Sequence, residues 1–454
     1  MVEEVEHPAY YVTGGYHPVK LGDEYCFGRY KIVAKLGFGR SATTWLAEDK
    51  ENPARPVSIK ILTAESVDII FEQRILEQLT RAAESDPTHP GKDITQTLLD
   101  SFMISGPNGT HRCLVTEVER VTLNLLKDYP HHRILPLPVA RVIAAQLIHG
   151  VQFIHDHGID HGDLHFSNIL LQLSPAMKNM NSKQLLTKTL ETRTEQVIRE
   201  DGAPLDPGVS SELIVPIHLG PDHDKMDLTD ARIRIVDFSE SFDPVKDKQY
   251  ESHAPTVLAP PESRFTNAGG LDEPLSFSAD VWTLGCAIWE IFGGGQPFDA
   301  FPPTPDEVTK EHAEMLGKLP QRWWTQWEER RKWFNEDGTK NVRENLGRWY
   351  SCETLDWNSR FQWYIMKPRK SIKKVGIFSV EEERAFRDMI SLMLVFEPAK
   401  RGTIERVVGC EWMTRWGIAE VEKMREGLGV GSWSAELMLG RGFMPLPGVY
   451  LPSI

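Results

Sequence analysis

Two aspartates and an asparagine stand where their side chains could act together on a phosphate. Asp163 and Asn168 lie in the segment 161–168 (His-Gly-Asp-Leu-His-Phe-Ser-Asn), directly ahead of an apolar run, and Asp237 follows another apolar run. A carboxylate can accept or orient the proton of an attacking hydroxyl group, and carboxylate and amide oxygens suit Mg²⁺. Aspartates at strand ends are often only turn formers. Two of them with an asparagine, however, fit the binding of Mg²⁺-ATP and the transfer of its phosphate.

A glycine-containing loop and a lysine could supply the remaining contacts to the phosphates. The loop Leu36–Ala42 (Leu-Gly-Phe-Gly-Arg-Ser-Ala) joins two strand candidates, and Gly37 and Gly39 would let its backbone approach phosphate oxygens. A Gly-x-Gly turn also occurs in ordinary hairpins, so the loop alone is a weak signal. Further along, Lys60 stands inside the apolar run Val57–Leu62. A strand lysine usually faces solvent, but together with the loop it becomes a candidate phosphate ligand.

A helix that follows this strand could carry the acidic partner of Lys60. Apolar residues recur at a helical period between Ser66 and Ala83, which predicts a helix there. Glu72 on this helix is the expected partner that fixes the position of the lysine, and Glu77 is the second choice.

The elements around these residues change character along the chain. The first part is mostly β, and the pattern of apolar and turn residues predicts strands at Tyr30–Ala34, Thr43–Ala47, Val57–Leu62, Gln96–Ile104 and Arg112–Val118. The later part is mainly helical, with strong helical periods at Val139–His157, Ser278–Phe292 and Val380–Phe396. Residues 1–25 are interpreted as an extended polar and aromatic arm. Residues 173–231, rich in turn formers around one possible helix at Ser182–Glu200, are interpreted as a surface insertion.

The composition excludes several classes of protein. The chain has 454 residues and a formal net charge of −14, which argues against broad binding of the nucleic-acid backbone. Its five cysteines are scattered without a Cys-x-x-Cys spacing, so neither a disulfide framework nor a zinc site is expected. No apolar stretch approaches the roughly 18 residues of a membrane helix, and the acidic N-terminus does not look like a secretory signal.

The order of these motifs resembles the protein kinase family. The resemblance implies an α+β, bilobal kinase fold with a small β-rich N-lobe and a large helical C-lobe, and with ATP and Mg²⁺ bound in the cleft. Lys60 matches the strand lysine that contacts the α- and β-phosphates, and Asp163 matches the catalytic aspartate. Asn168 and Asp237 match the metal ligands. The segment around Glu117 and Val118 is expected to link the lobes and to contact adenine.

Three later elements extend this resemblance. The segment Ala259–Glu262 looks like the Ala-Pro-Glu element, and Asp280–Gly285 looks like the helix that anchors the catalytic loop. Arg401 resembles the arginine that pairs with the glutamate of the first element, so a buried pair of Arg401 and Glu262 is expected. The domain boundaries that follow are an arm at 1–29, an N-lobe at 30–121, a C-lobe at 122–415 with inserts at 173–231 and 305–380, and a C-terminal extension at 416–454.

A narrower resemblance concerns the SR-protein kinases, in particular their fungal relatives. The segment Tyr16–Asp23 (Tyr-His-Pro-Val-Lys-Leu-Gly-Asp) is similar to their opening segment, and Leu316–Pro320 with the nearby tryptophans is similar to their late insert. Trp323, Trp327 and Trp333 are expected to pack this insert onto the lobe. The resemblance implies protein substrates with serine next to arginine, such as Arg/Ser-rich splicing factors. Together with the composition, we expect a monomer in the cytoplasm and/or nucleus that binds neither membranes nor nucleic acid directly.

Four departures from the kinase pattern keep alternative functions open. Ala42 replaces the third glycine of the loop, Gly162 replaces an arginine, His165 replaces a lysine, and Ser239 replaces the glycine after Asp-Phe. The string His-Gly-Asp-Leu-His also resembles small-molecule kinases of the aminoglycoside phosphotransferase type, which would phosphorylate a metabolite or an antibiotic. A third hypothesis is a pseudokinase that binds ATP and acts as a scaffold.

Overall fold

The computed structural model describes residues 5–65, 70–128, 132–189, 192–199, 201–220, 226–266, 273–341 and 355–431. The chain divides into two compact units. The first contains Met1–Ser85, Asp93–Pro130 and Phe166–Ser241, and the second contains Asp86–Lys92, His131–His165 and Phe242–Ile454. These units do not follow the predicted boundary after residue 121, because residues 166–241 group with the β-rich part of the chain.

A six-stranded antiparallel sheet forms the centre of the first unit. Its strands are β1 (Glu24–Tyr25), β2 (Tyr30–Gly39), β3 (Ala42–Asp49), β4 (Val57–Leu62), β5 (Asp100–Gly106) and β6 (Gly109–Glu117), in the spatial order β1-β2-β3-β4-β6-β5. Most side chains of β3 and β4 are buried, including polar ones such as Thr43 and Ser58. The five predicted strands are therefore confirmed, although the last two begin three or four residues away from their predicted starts.

A helix and a small second sheet complete the frame of the first unit. The helix Phe71–Ser85 buries one face that includes Glu72, Ile75 and Leu79, as its apolar period predicts. Residues 66–69 of the predicted helix lie outside the described residues. The second sheet has the order β11-β8-β7, formed by β7 (Glu119–Thr122), β8 (Ile169–Gln172) and β11 (Ile233–Ile235).

The interpretation of residues 173–231 needs two corrections. The predicted helix Ser182–Glu200 is wrong beyond its first turns, because the helix ends at Leu186. A short strand follows, β9 (Thr194–Gln196), which pairs in antiparallel fashion with β10 (Glu212–Ile214). A capping box between Asn181 and Gln184 supports the start of the helix. The later β-branched and alternating residues favour the hairpin instead.

The same segment is not a surface excursion, because its apolar side chains complete the core of the first unit. Ile214 of β10 lies in one cluster with Tyr30, Trp45 and Ile59 of the large sheet. Leu185, Ile217 and Leu219 are buried in a second cluster that also contains Ala34, Leu46 and Val118. The segment therefore stabilises the sheet by removing these apolar groups from water.

The N-terminal arm is also packed against the unit. Val5, Tyr11 and Tyr16 are buried in a cluster with Leu213 and Val215, which flank Ile214 in and after β10. Alternate residues of this stretch therefore face the arm on one side and the sheet on the other, as the two-residue period of an extended chain requires.

The second unit is helical, as predicted. Its helices are Leu137–Asp156, Glu262–Phe265, Phe277–Phe292, Pro305–Leu316, Gln321–Gln326, Trp357–Arg360, Lys367–Ser371, Val380–Met393, Ile404–Val408 and Ile418–Gly427, with π-helical turns at Phe361–Met366 and Met413–Gly417. The expectation that no apolar stretch approaches the length of a membrane helix was wrong, because the helix Leu137–Asp156 is long and apolar enough to cross a membrane by length and composition. The chain buries 89% of that window, so the helix has the setting of a core helix.

The tryptophans of the late insert pack as expected. Trp323, Trp324 and Trp327 are buried with Phe265 and Phe334, and Trp333 is partly buried against them. Residues 342–354 of the predicted insert 305–380 and residues 432–454 of the predicted C-terminal extension lie outside the described residues.

Truncating Leu185 tests whether the segment 173–231 is part of the core. Leu185 is fully buried, so Leu185→Ala should lower the free energy of unfolding of the first unit by about 2–5 kcal/mol. Ile198 in the same segment is 84% exposed, and Ile198→Ala should change the free energy of unfolding by less than about 0.5 kcal/mol. Urea unfolding followed by fluorescence compares the two variants. Equally small effects of both substitutions would indicate that the segment 173–231 is not part of the core.

A buried histidine should make the second unit less stable in mild acid. His312 lies edge-on to Trp282 and Phe298, and burial together with the neighbouring Arg360 lowers its pKa to about 3. The unfolded chain takes up a proton there near pH 6.5, whereas the folded chain does not. Above that pH the neutral His312 does not oppose folding. As the pH falls below it, protonation favours the unfolded chain and the folded state loses stability.

From pH 7 to pH 5 this one group should reduce the free energy of unfolding by about 2 kcal/mol. His312→Gln removes the titrating group and should show a correspondingly smaller loss. Parallel urea titrations at the two pH values give the comparison, and identical pH dependence in the two proteins would contradict the assignment.

Candidate active site

Lys60 carries a positive charge into the core of the first unit and meets two carboxylates there. Its Nζ lies 2.7 and 2.8 Å from the two carboxylate oxygens of Glu72, and 2.8 Å from Oδ1 of Asp237. Burial alone would lower the pKa of Lys60, but Asp237 and Glu72 outweigh this effect and hold the pKa above its ordinary value. Lys60 is therefore a fixed cation. The predicted contact with Glu72 is confirmed, while Glu77 instead accepts a hydrogen bond from Gln73.

The backbone at Asp237 is turned so that its side chain reaches the lysine. Asp237 has a φ of 65°, in the left-handed region. Phe238 is fully buried, and its N–H donates to Glu72 at 3.3 Å, so one carboxylate orients both the lysine and this turn. Ser239 is not among the described residues with positive φ. The replacement of glycine by serine is therefore compatible with the backbone at that position.

The glycine loop has open space where a phosphate could approach. It forms the turn between β2 and β3, and a Cβ added at Gly37 or Gly39 would have no neighbouring atom within 4 Å. Leu36 is partly buried against the cluster that contains Ala34 and Leu46, and Ala42 is buried where it pairs with Gly39. The loop therefore keeps an open backbone surface at Gly37 and Gly39, although Ala42 replaces its third glycine.

Asn168 lies close in the fold to the strand that leads to Asp237. It ends a short 3₁₀ turn, Phe166–Asn168, immediately before β8. Its carbonyl accepts a hydrogen bond from the N–H of Val236 at 2.9 Å. Neighbouring strands therefore bring an amide and a carboxylate to one end of the small sheet, and their oxygens fit the ligand preference of Mg²⁺.

The segment at Glu117 and Val118 is held by an arginine that sequence reasoning missed. Arg234 on β11 is buried and donates to Glu117 at 2.5 Å and to Glu119 at 2.8 Å. Its guanidinium also reaches the carbonyl oxygen of Asp93 at 2.9 Å. The signal for this role was the presence of a charged residue within the apolar strand that precedes Asp237.

The segment that contains Asp163 belongs to the second unit. Oδ2 of Asp163 lies 3.4 Å from Nε2 of His165, and the Asp163 N–H donates to Nδ1 of His161 at 3.3 Å. Gly162 has a φ of 76°, a backbone conformation that strains residues with a side chain. Glycine at this position thus has a conformational reason.

A buried aspartate anchors the backbone of this segment through hydrogen bonds, as the resemblance implied. Asp280 accepts hydrogen bonds from the N–H groups of His161 at 2.6 Å and Gly162 at 3.2 Å, and contacts Nε2 of His155 at 3.0 Å. Asp160 is buried beside it. Burial and the charge of Asp280 raise the pKa of Asp160 well above its usual range. Asp280 is the charged member of this pair, since His155 and the N–H groups stabilise its anion.

The expected pair of Arg401 and Glu262 is present and fully enclosed. The guanidinium donates two hydrogen bonds of 2.8 Å to the carboxylate, in a bidentate arrangement. Arg401 also donates to the carbonyl oxygens of Ser278 and Val395. The pair therefore joins the start of the helix Glu262–Phe265 to two later parts of the second unit.

Comparison with known proteins supports one family. Residues 30–181 match the protein kinase domain family. The chain is 28% identical over 415 residues to the serine/threonine-protein kinase SRPK of Physarum polycephalum, with 87% of each chain covered. It is 26% identical to the protein kinase dsk1 of Schizosaccharomyces pombe, over 91% of this chain and 86% of the relative. It is 38% identical over 175 residues to the human SRSF protein kinase 3, of whose length it covers 30%.

Breaking the buried ion pair should destabilise the second unit. Arg401→Met leaves the Glu262 carboxylate buried without its cation, and should cost about 3–5 kcal/mol in free energy of unfolding. Arg384 forms a comparable pair with Glu411 on the surface, with 63% of its side chain exposed. Arg384→Met should cost less than about 1 kcal/mol. Thermal unfolding compares the two, and equal shifts in Tm would contradict the role given to Arg401.

Proposed function

Because the chain belongs to the protein kinase family and is a serine/threonine kinase of its SR-protein kinase-like group, we propose that it phosphorylates serines beside arginines in Arg/Ser-rich proteins. The observation that carries the site assignment is the contact of Lys60 with both Glu72 and Asp237 within 2.8 Å. This contact fixes a partly buried cation beside an accessible carboxylate, an arrangement that suits a phosphate together with its metal ion.

The residues of the first unit fit Mg²⁺-ATP. The open backbone at Gly37 and Gly39 can approach phosphate oxygens, and Lys60 offers a fixed positive charge to the α- and β-phosphates. Asn168 and Asp237 supply oxygen ligands for Mg²⁺. Backbone groups of Glu117 and Val118 would contact the adenine. A metal ion held by Asn168 and Asp237 would neutralise charge that develops on the phosphates during transfer.

The residues of the second unit act on the hydroxyl group. Asp163 orients the serine Oγ and accepts its proton as the new oxygen–phosphorus bond forms and the bond between the β- and γ-phosphates breaks. His165 takes the place of the usual lysine and can donate a hydrogen bond to a phosphate oxygen. An imidazole is shorter than a lysine side chain and lacks its ammonium group, so the electrostatic contribution of His165 is weaker than that of a fixed ammonium group. We therefore infer a slow enzyme.

Two observations support a basic protein substrate rather than a small molecule. The chain has a net charge of −14, which favours encounter with a cationic peptide. The relatives include a protein named SRSF protein kinase 3.

We further propose that the chain acts as a monomer in the cytoplasm or nucleus, without binding membranes or nucleic acid directly.

Phosphate transfer to an Arg-Ser repeat peptide tests the proposal. Wild-type protein with radiolabelled Mg²⁺-ATP should label the serine peptide, whereas Lys60→Met, Asp163→Asn and Asp237→Ala should each lower the rate at least about 100-fold. Each loses a charge that acts during transfer. Far-ultraviolet circular dichroism confirms that the variants remain folded.

The controls separate the alternative functions. A peptide with alanine in place of serine should stay unlabelled, and kanamycin serves as the small-molecule acceptor. Label on kanamycin alone would establish the small-molecule kinase. A wild-type rate equal to that of Asp163→Asn across pH 6–8, with retained ATP binding, would establish a pseudokinase.

A further inference from the structure

A tyrosine of the N-terminal arm contacts the glycine loop. The hydroxyl group of Tyr16 donates a hydrogen bond of 2.7 Å to the carbonyl oxygen of Gly39, and lies 3.5 Å from that of Arg40. Tyr16 is buried. Burial and the neighbouring Glu6 raise the pKa of Tyr16, so it remains protonated and able to donate. The contact links two segments that are 23 residues apart, and it falls on the part of the loop where a phosphate would approach.

The loop has few contacts of its own that would fix its position. Gly37 and Gly39 offer no side chains, and Phe38 between them is 41% exposed. Pairing with β3 and one hydrogen bond from the N–H of Thr63 to the carbonyl of Ser41 hold the loop at its base. A hydrogen bond from Tyr16 to the Gly39 carbonyl therefore adds a restraint near the tip of the loop from a segment outside β2 and β3.

The arm that carries Tyr16 is itself fixed on both sides. The N–H of Gly14 donates to the carbonyl of Asn108 at 2.7 Å, and the side-chain amide of Asn108 donates to the carbonyls of Tyr16 and Gly208. The carbonyl of Gly14 also accepts from the N–H of Glu65, after the strand that carries Lys60. A Cβ at Gly15 would lie 2.0 Å from the backbone of Tyr10, so only glycine fits this close approach.

A buried ion pair anchors the arm to the strand that leads into the loop. Glu6 accepts a hydrogen bond from Tyr11 and pairs with Lys35 of β2, and both charged side chains are almost fully enclosed. Lys35 stands four residues before Gly39. Because a buried carboxylate without its cation is costly, the arm and β2 are held together at this point.

We propose that the arm, residues 5–16, is a positioning device for the glycine loop, and that Tyr16 is a positioning residue for ATP binding. The inference deepens the proposed function and rests on it, since the loop must contact the phosphates for Tyr16 to matter. Tyr16 acts through the Gly39 carbonyl and does not touch the nucleotide. Its influence should therefore be confined to ligands that carry phosphates.

Nucleotide binding to Tyr16→Phe tests this directly, since the variant removes one hydroxyl group and keeps the ring. By calorimetry, the Kd for Mg²⁺-ADP should rise about five-fold, the effect of one lost hydrogen bond, while the Kd for adenosine stays unchanged. In the transfer assay the KM for ATP should rise by a similar factor, with kcat within about two-fold of wild type. A purely structural role would instead lower the active fraction and with it the apparent kcat.

Tyr25→Phe is the matched control. Its hydroxyl group donates to Asp23 at 3.3 Å, away from the loop, so binding of both ligands should remain at the wild-type level. An unchanged Kd for Mg²⁺-ADP in Tyr16→Phe, or an equal loss for adenosine, would overturn the inference while wild-type transfer continues to support the proposed function. A wild-type protein that binds no nucleotide would overturn both.

Discussion

The position of one partly buried cation determines much of the first unit. Lys60 stands in the most enclosed strand of the large sheet, where an ammonium group without partners would be strongly destabilising. Its two carboxylate partners come from the helix Phe71–Ser85 and from the turn after β11. Both elements must therefore pack at fixed distances from β4. Glu72 extends the constraint to the buried Phe238 through its backbone N–H, so the turn at Asp237 is set by the same charges.

The second unit meets a related requirement with hydrogen bonds to a buried anion. Asp280 satisfies the backbone N–H groups of the segment before Asp163, and Arg401 neutralises Glu262 in the interior. In each unit a charged group that is costly to bury becomes tolerable only in one arrangement of the chain. Such groups add little net stability but favour a single conformation of the loops that carry the functional side chains.

The motifs allowed the site to be predicted because their chemistry depends on short segments. The pair Lys60–Glu72 was predicted from the strand and the helix that follows it, and the structure confirms it. The pair Arg401–Glu262 and the anchoring role of Asp280 followed from the resemblance and were also confirmed. The role of residues 173–231 was not predictable, because its composition of turn formers is typical of a surface loop. Its burial depends on a few apolar side chains, such as Leu185 and Ile214, whose partners lie far away in sequence. Arg234 and Tyr16 escaped notice for the same reason, since their hydrogen-bond partners are distant along the chain.

The path of the chain through the first unit also has a consequence for biosynthesis. Ile214, Ile217 and Leu219 fill clusters whose other members belong largely to the first strands of the sheet. A chain that emerges from the ribosome in order has synthesised the arm and β1–β6 long before these side chains are available. During that interval the apolar faces of the sheet remain uncovered, and they are the kind of surface that chaperones recognise. Completion of the first unit is thereby postponed until about half of the polypeptide has been translated.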